Sequence, residues 1–265
     1  MTKLRANMVI AGLALIGGST YLIGKQLLQE VGPFWLLALR FWLAFAALVL
    51  LRRGKFQQMT RRALEGGVIL GAIVTMGIAS IHLGLRESDS GQAAFIVNIS
   101  MVLVPAISFF LLGERLSRWM LAGLVSALVG LGLLTLRHGF DPAPSDLWLI
   151  LSAVCWSFHT VAVSHYAPRV RSLELAAVQM LVIAVLASVA TVFFDSPTLS
   201  ISAYGWLSLL YIVIVATVFR YTVQNHVQQF TSANSVGLLF ALEPVFASLI
   251  GIVFAAEVLS PRELS

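Results

Sequence analysis

Six ionisable side chains interrupt otherwise apolar stretches of the chain: Lys25, Arg40, His82, His159, Arg220 and Glu243. In hydrocarbon such a group costs about 2.5–3.5 kcal/mol on insertion scales, so each needs a counter-charge, a wet cavity or a route to the interface. Asn98, Gln179, Gln224 and Asn225 place four amides in similar surroundings. The chemistry open to this set is recognition and movement of a solute or proton. Bond-making chemistry has no constellation to support it: neither H-E-x-x-H nor G-x-S-x-G occurs. Cys155 is the single cysteine, which excludes an intrachain disulfide framework and a cysteine-based metal cluster. Neither His82 nor His159 has a second ligand at metal-binding spacing, so no metal site is expected.

The elements that position these groups follow from composition. Of 265 residues, 59% are hydrophobic and 11% charged, with mean hydropathy +0.92. Soluble domains carry about 25% charged residues. A soluble fold of this composition could not cover its surface with polar groups, so lipid is the implied solvent, and an ordinary cytosolic enzyme or a disordered chain is excluded. Nine stretches are long enough to be spans: Met8–Leu28, Pro33–Leu51, Ala63–Leu85, Gly91–Gly113, Trp119–Leu136, Asp146–Tyr166, Leu173–Phe194, Ala203–Val227 and Ala233–Ala256. They are apolar on nearly all faces, without the alternation a porin-type barrel requires. The first is too long for a signal-peptide core and is read as a retained helix.

With the N-terminus inside, eleven Lys and Arg fall in inner segments and three in outer ones, the latter being Arg86, Arg137 and Arg262. The positive-inside rule then makes the N-terminus cytoplasmic, in a multi-pass inner-membrane protein. The same distribution accounts for the net charge of +5 without nucleic acid as a partner. At 1.5 Å per residue, Arg220 lies about 10 Å from the inner end of the eighth span and Glu243 about 15 Å into the ninth from the same side. Their similar depth makes an ion pair plausible, since buried charges need partners. Glu243 either carries a proton or meets a substrate amine, or else braces the break at Pro244. Arg40 sits about 10 Å from the outer end of the second span. Its options are a carboxylate or helix carbonyl, snorkelling, or a substrate carboxylate. Lys25, near the outer end of the first span, is expected to snorkel.

Tyr21, His82, Phe95, Asn98, Ser100, Trp156, His159, Tyr221, Gln224 and Phe240 form the candidate substrate cavity. Such a set gives an apolar pocket with a few convergent polar groups, suited to amino acids with apolar side chains. Pro105 and Pro244 are expected to kink the fourth and ninth spans.

Sliding the sequence by 143 residues lays Glu114-Arg115-Leu116-Ser117 on Glu257-Val258-Leu259-Ser260, Val102 on Val245 and Ile107 on Ile250. Helix order and loop charge agree with this offset. Residues 1–138 (helices one to five) then form one repeat and residues 145–265 (helices six to nine) a second. Five helices is an odd number, so the second repeat enters from the opposite side. The expected fold is an all-α polytopic membrane protein, an inverted-repeat (5+5) transmembrane helix bundle with its binding site between the halves. Nine helices are present, and the repeat calls for a tenth after Ser265, so the chain reads as truncated.

Several motifs carry a family resemblance. Gly18-Ser19-Thr20 with Lys25, Gly32-Pro33 leading to Arg40-Phe41, Leu112-Gly113-Glu114-Arg115-Leu116-Ser117, and Leu242-Glu243-Pro244-Val245 followed by Glu257-Val258-Leu259-Ser260 together resemble the drug/metabolite transporter superfamily, EamA type. Within it the chain is most similar to bacterial amino-acid exporters of the YddG type. It departs where the family often has Trp at Gly17 or Gly18, and where a proline expected near Met101 is instead Pro105. The resemblance implies ten helices, a central cavity, and export of metabolites from the cytoplasm. No ATP-binding loop G-x-x-x-x-G-K-[ST] is present, so transport is expected to be secondary and no cofactor is implied. Alternatives are export of another metabolite or drug class, or a non-transporting channel or structural protein. The expected partners are a small-molecule substrate, an amino acid or related metabolite, and the lipid bilayer; the oligomeric state is left open, with a monomer allowed.

Overall fold

A computed structural model describes residues 1–51, 59–84, 90–135, 143–247 and 250, and the described chain is all helical. The helices are α1 (Lys3–Glu30), α2 (Pro33–Leu51), α3 (Arg61–Gly84), α4 (Ser90–Asn98), α5 (Ser100–Leu112), α6 (Arg118–Thr135), α7 (Asp146–Tyr166), α8 (Ser172–Phe194), α9 (Ala203–Tyr211), α10 (Arg220–Val227) and α11 (Ala233–Phe240). Helices α4 and α5 are two parts of one apolar stretch, and α9 runs into α10 through a π-helical segment at Ile212–Phe219. Among the described residues seven helical stretches are long and apolar enough to cross a membrane, and Arg118–Leu133 and Ala233–Ala247 are apolar but shorter. The first helix begins at Lys3, ahead of the apolar run, because Thr2 caps it by accepting a hydrogen bond from Arg5 N at 3.4 Å.

Packing follows small residues. Helix α3 lies against α7 and α8, and α2 against α8. A Cβ on Gly67 would stand 3.2 Å from Gln179 N, and one on Gly71 3.0 Å from Gln179 O, so these glycines let α3 and α8 approach backbone to backbone. The largest core cluster joins α2, α8 and the α9–α10 span, with Phe41 and Tyr221 edge to face at 6.1 Å. Large apolar side chains face outward instead of being gathered in: Phe110 is 82% exposed, Trp119 78% and Val192 78%. A lipid surround makes that arrangement favourable.

The two ends of the bundle are closed by carboxylates that accept from the N-termini of distant helices. At one end Asp195 Oδ2 takes Phe34 N (2.6 Å) and Trp35 N (2.8 Å) of α2, and Glu30 takes Ser202 N (2.7 Å) ahead of α9. At the end holding Met1, Glu114 takes Ala233 N (3.1 Å) and Asn234 N (3.2 Å) of α11. Each contact satisfies orphan N–H groups and sets a negative charge at a helix's positive pole.

The breaks differ from expectation. The fourth span does not break at Pro105, which lies inside continuous α5. It breaks at Ile99, where Ile99 N bonds Ile96 O (3.1 Å) and Val102 N bonds Ile99 O (2.8 Å) in tightened turns. A proline disturbs the carbonyl four residues earlier, here that of Met101, so Pro105 is poorly placed to open position 99. In the ninth span the break lies at Ala241–Leu242, whose N–H groups reach Leu238 O (3.3 Å) and Leu239 O (3.1 Å). Pro244 opens the next turn, where its missing N–H is tolerated.

Candidate functional site

A cavity of about 120 Å³ lies between the broken helices and extends toward the end that holds Glu30. Val104, Thr160 and Gly237 line it on the Met1 side, and Lys25, Leu28 and His82 on the other. Of the residues singled out by sequence, His82, Asn98, Ser100, Trp156, Tyr221, Phe240, Arg40, Arg220 and Glu243 line it. Three are set elsewhere by their packing. Phe95 turns toward α6, its ring 3.6 Å from where a Cβ on Gly132 would stand. His159 stands behind the wall, its ring 5.5 Å from that of Trp156 and 6.1 Å from that of Tyr221, with Nε2 3.1 Å from Gln179 Nε2. Gln224 Nε2 donates to Gln228 Oε1 at 3.2 Å, and Gln228 Nε2 donates in turn to Thr160 O at 2.6 Å. The side chain of Tyr21 lies outside the described residues. Glu257, Ser260 and Arg86 also lie outside them.

Arg220 and Glu243 are brought together as an ion pair, their side chains 11% and 12% exposed. The guanidinium also covers the Phe240 ring, Cζ to centroid 5.2 Å. Two glycines make room for the pair. A Cβ on Gly17 would collide with the Glu243 carboxyl group, and one on Gly18 would stand 2.6 Å from Glu243 O and 2.8 Å from Ala247 N. A larger side chain at either position would run into the broken ninth span.

Arg40 is held by the π-helical turn. Its Nε donates to Thr217 Oγ1 at 2.6 Å and its Nη2 to Ala216 O at 3.4 Å, while Thr217 Oγ1 reaches Ile212 O at 2.8 Å. A π turn shifts backbone carbonyls out of the ordinary ladder, which makes one available to a side-chain donor. Composition and periodicity do not distinguish π from α, so the sequence offered a carbonyl partner for Arg40 without its address. His82 Nδ1 lies 3.1 Å from Pro33 O, tying α3 to the start of α2.

Sequence reasoning missed Thr20, Lys25 and Thr160 as lining residues. Thr20, Gly24 and Leu28 recur every fourth residue on α1, and that face could have been extended to Lys25. Lys25 contributes to the cavity wall as well as being exposed. Lining positions also recur between the halves. At the 143-residue offset Ile78 falls on Tyr221, Val97 on Phe240 and Ser100 on Glu243, and all six line the cavity.

The sequence pattern of the EamA-like transporter family matches the chain twice, over residues 4–136 and 143–265. An uncharacterized transporter of Archaeoglobus fulgidus is 27% identical over 259 residues, covering 98% of this chain and 81% of that protein. The uncharacterized transporter YyaM of Bacillus subtilis is 22% identical over 262 residues, covering 94% and 86%. One solved crystal structure of a protein superposes with a TM-score of 0.83 at 23% identity, over 99% of this chain and 92% of that one, which establishes a shared fold.

Proposed function

The chain belongs to the EamA-like transporter family, and we propose that it is a secondary transporter that exports amino acids with apolar side chains by alternating access. The family is one of transporters and not of enzymes, so a small-molecule solute and a lipid bilayer are its partners. The observation that carries the finer reading is the cavity itself. It combines apolar walls, Trp156 and Phe240 among them, with a few fixed polar groups between two interrupted helices. Pockets of that composition bind small solutes, and broken helices near mid-membrane are where secondary transporters place them.

Several features support an inverted 5+5 repeat with boundaries at 1–138 and 145–265. The family pattern matches twice, and equivalent positions of the two halves line the cavity. In this reading the N-terminus is cytoplasmic in the inner membrane, and the described form has its cavity toward the outer face. The carboxylate caps at Glu114 on one side and at Glu30 and Asp195 on the other then join the halves at opposite faces. Alternating access requires such contacts to form and release in turn.

Flux of radiolabelled phenylalanine in proteoliposomes tests this. Saturable uptake that excess unlabelled solute suppresses is expected. Linear flux at all concentrations would remove the transporter reading in favour of a channel.

A further inference from the structure

Among the described residues the charges that line the cavity do not balance. Lys25, Arg40 and Arg220 face it with one described carboxylate, Glu243, and that carboxylate is engaged by Arg220. Arg40 has no carboxylate partner among the described residues; its hydrogen-bond partners are a hydroxyl and a carbonyl, both acceptors on the π turn, and its Cζ lies 5.2 Å from the Phe41 ring centroid. A guanidinium carries five N–H donors in a fixed fork. The π turn takes Nε and one Nη2 hydrogen, so the remaining donors of a rigidly held fork belong to the cavity side. Lys25 lines the same cavity toward the Glu30 end and has no ion-pair partner among the described residues.

We propose that the cavity reads its solute through a carboxylate, bound bidentately by Arg40 with Lys25 as a second cation, and does not require an ammonium group on the solute. This deepens the transporter reading and rests on it. Two arguments lead here. An unneutralised guanidinium in a membrane interior is costly, and an incoming anion relieves that cost, so the occupied state is favoured. Planar carboxylates match the arginine fork in geometry as well as charge. The group that could have received an ammonium, Glu243, is already spent on Arg220 and packs so closely on Gly17 and Gly18 that not even a Cβ would fit between them. The apolar walls, Leu36, Ile78 and Trp156, take the body of the solute.

Three probes with one apolar body separate the possibilities: phenylalanine, 3-phenylpropionate and phenethylamine. Each is titrated into the purified protein in detergent, with thermal stabilisation as readout, and each competes for phenylalanine flux in liposomes. The carboxylate-only probe is expected to bind within about threefold of phenylalanine and the amine-only probe at least about tenfold more weakly. Arg40→Gln should weaken both carboxylates by about tenfold or more. Arg40→Lys keeps the charge and loses the fork, so an intermediate loss is expected. Lys25→Glu alters an exposed residue, keeps the fold, and should weaken both by about three- to tenfold through charge reversal.

Equal binding of phenethylamine and phenylalanine with no response to phenylpropionate would overturn the proposal. So would unchanged carboxylate affinity in both Arg40→Lys and Lys25→Glu, or binding of none of the three probes. The failures are distinguishable. Saturable phenylalanine flux that phenylpropionate does not touch removes the carboxylate site and leaves the transporter. Carboxylate binding in detergent with unsaturable flux removes the transporter and leaves the site.

Discussion

Replacing Glu243 by glutamine removes the carboxylate that neutralises Arg220 and leaves a guanidinium only 11% exposed. Removing one partner of a buried ion pair costs about 3–5 kcal/mol, because the other charge stays desolvated. The glutamine oxygen still accepts a hydrogen bond, which offsets about 0.5–1.5 kcal/mol of that figure. The Phe240 ring, 5.2 Å from the Arg220 Cζ, is met before and after the change and cancels. The expected destabilisation for Glu243→Gln is therefore about 2–4 kcal/mol, and for Arg220→Gln a similar amount. The double variant buries no charge at that spot, so its loss should fall short of the sum by about 1–3 kcal/mol. Reversible unfolding of the full chain in mixed micelles measures all four corners of the cycle. Additivity within about 0.5 kcal/mol would refute the pairing. The same variant addresses the proton. If Glu243 is held by Arg220 in a structural role, residual transport by Glu243→Gln keeps the wild-type pH profile. A pH dependence abolished by this substitution alone would instead assign proton carriage to Glu243.

Gly18→Ala should destabilise the chain by about 1–3 kcal/mol, since the new methyl meets backbone atoms of the ninth span. Gly12→Ala is the control, because nothing lies within 4 Å of its Cβ, and helix propensity alone predicts a gain of up to about 1 kcal/mol. Unfolding in micelles reads both, and equal effects would refute the close-approach argument. Trp156→Ala should reduce competition by phenylalanine about three- to tenfold while sparing alanine; unchanged competition would remove Trp156 from the solute's path. With Cys155 replaced by serine, single cysteines at Thr60 and Val170 should label from one side of the membrane and one at Asp195 from the other. Thr60 and Val170 on opposite sides would end the inverted-repeat scheme.

Hydrophobic length located the seven described helical stretches that are long enough to cross, out of nine expected, because lipid imposes one dominant requirement, an apolar segment with its backbone satisfied internally. Lys25, Arg40, Arg220 and Glu243 stood out because a charge in such a segment is conspicuous. Orientation of neutral side chains was harder to read. Phe95, Trp156 and Phe240 are equally apolar, and an all-round apolar helix has no stripe to say which face meets the cavity and which meets α6. His159 and Gln179 were flagged as polar groups at depth, and they meet across α7 and α8 through Nε2 of each, while His159 Nδ1 and Gln179 Oε1 have no hydrogen-bond partner among the described residues. That partnership depends on helix rotation, which no local pattern encodes. The π turn that anchors Arg40 escaped for the same reason: an inserted residue changes hydrogen bonding without changing composition.

The two helix breaks show where local rules stop. Leu242, beside Pro244, falls on Ile99 at the 143-residue offset, and both positions are broken. Only the second break has a proline adjacent to it; Pro105 sits six residues beyond the first, inside intact helix. Proline chemistry therefore cannot be the common cause. What the two positions share is their surroundings. Val97 and Ser100 flank one break, Phe240 and Glu243 the other, and all four line the cavity. A break leaves backbone carbonyls unpaired, which lipid would forbid and a polar cavity allows. Beside the first break Ser157 Oγ donates to Ser100 O at 3.3 Å, tying α7 to the start of α5. The cavity thus permits the breaks, and the breaks shape the cavity, at corresponding places in both halves.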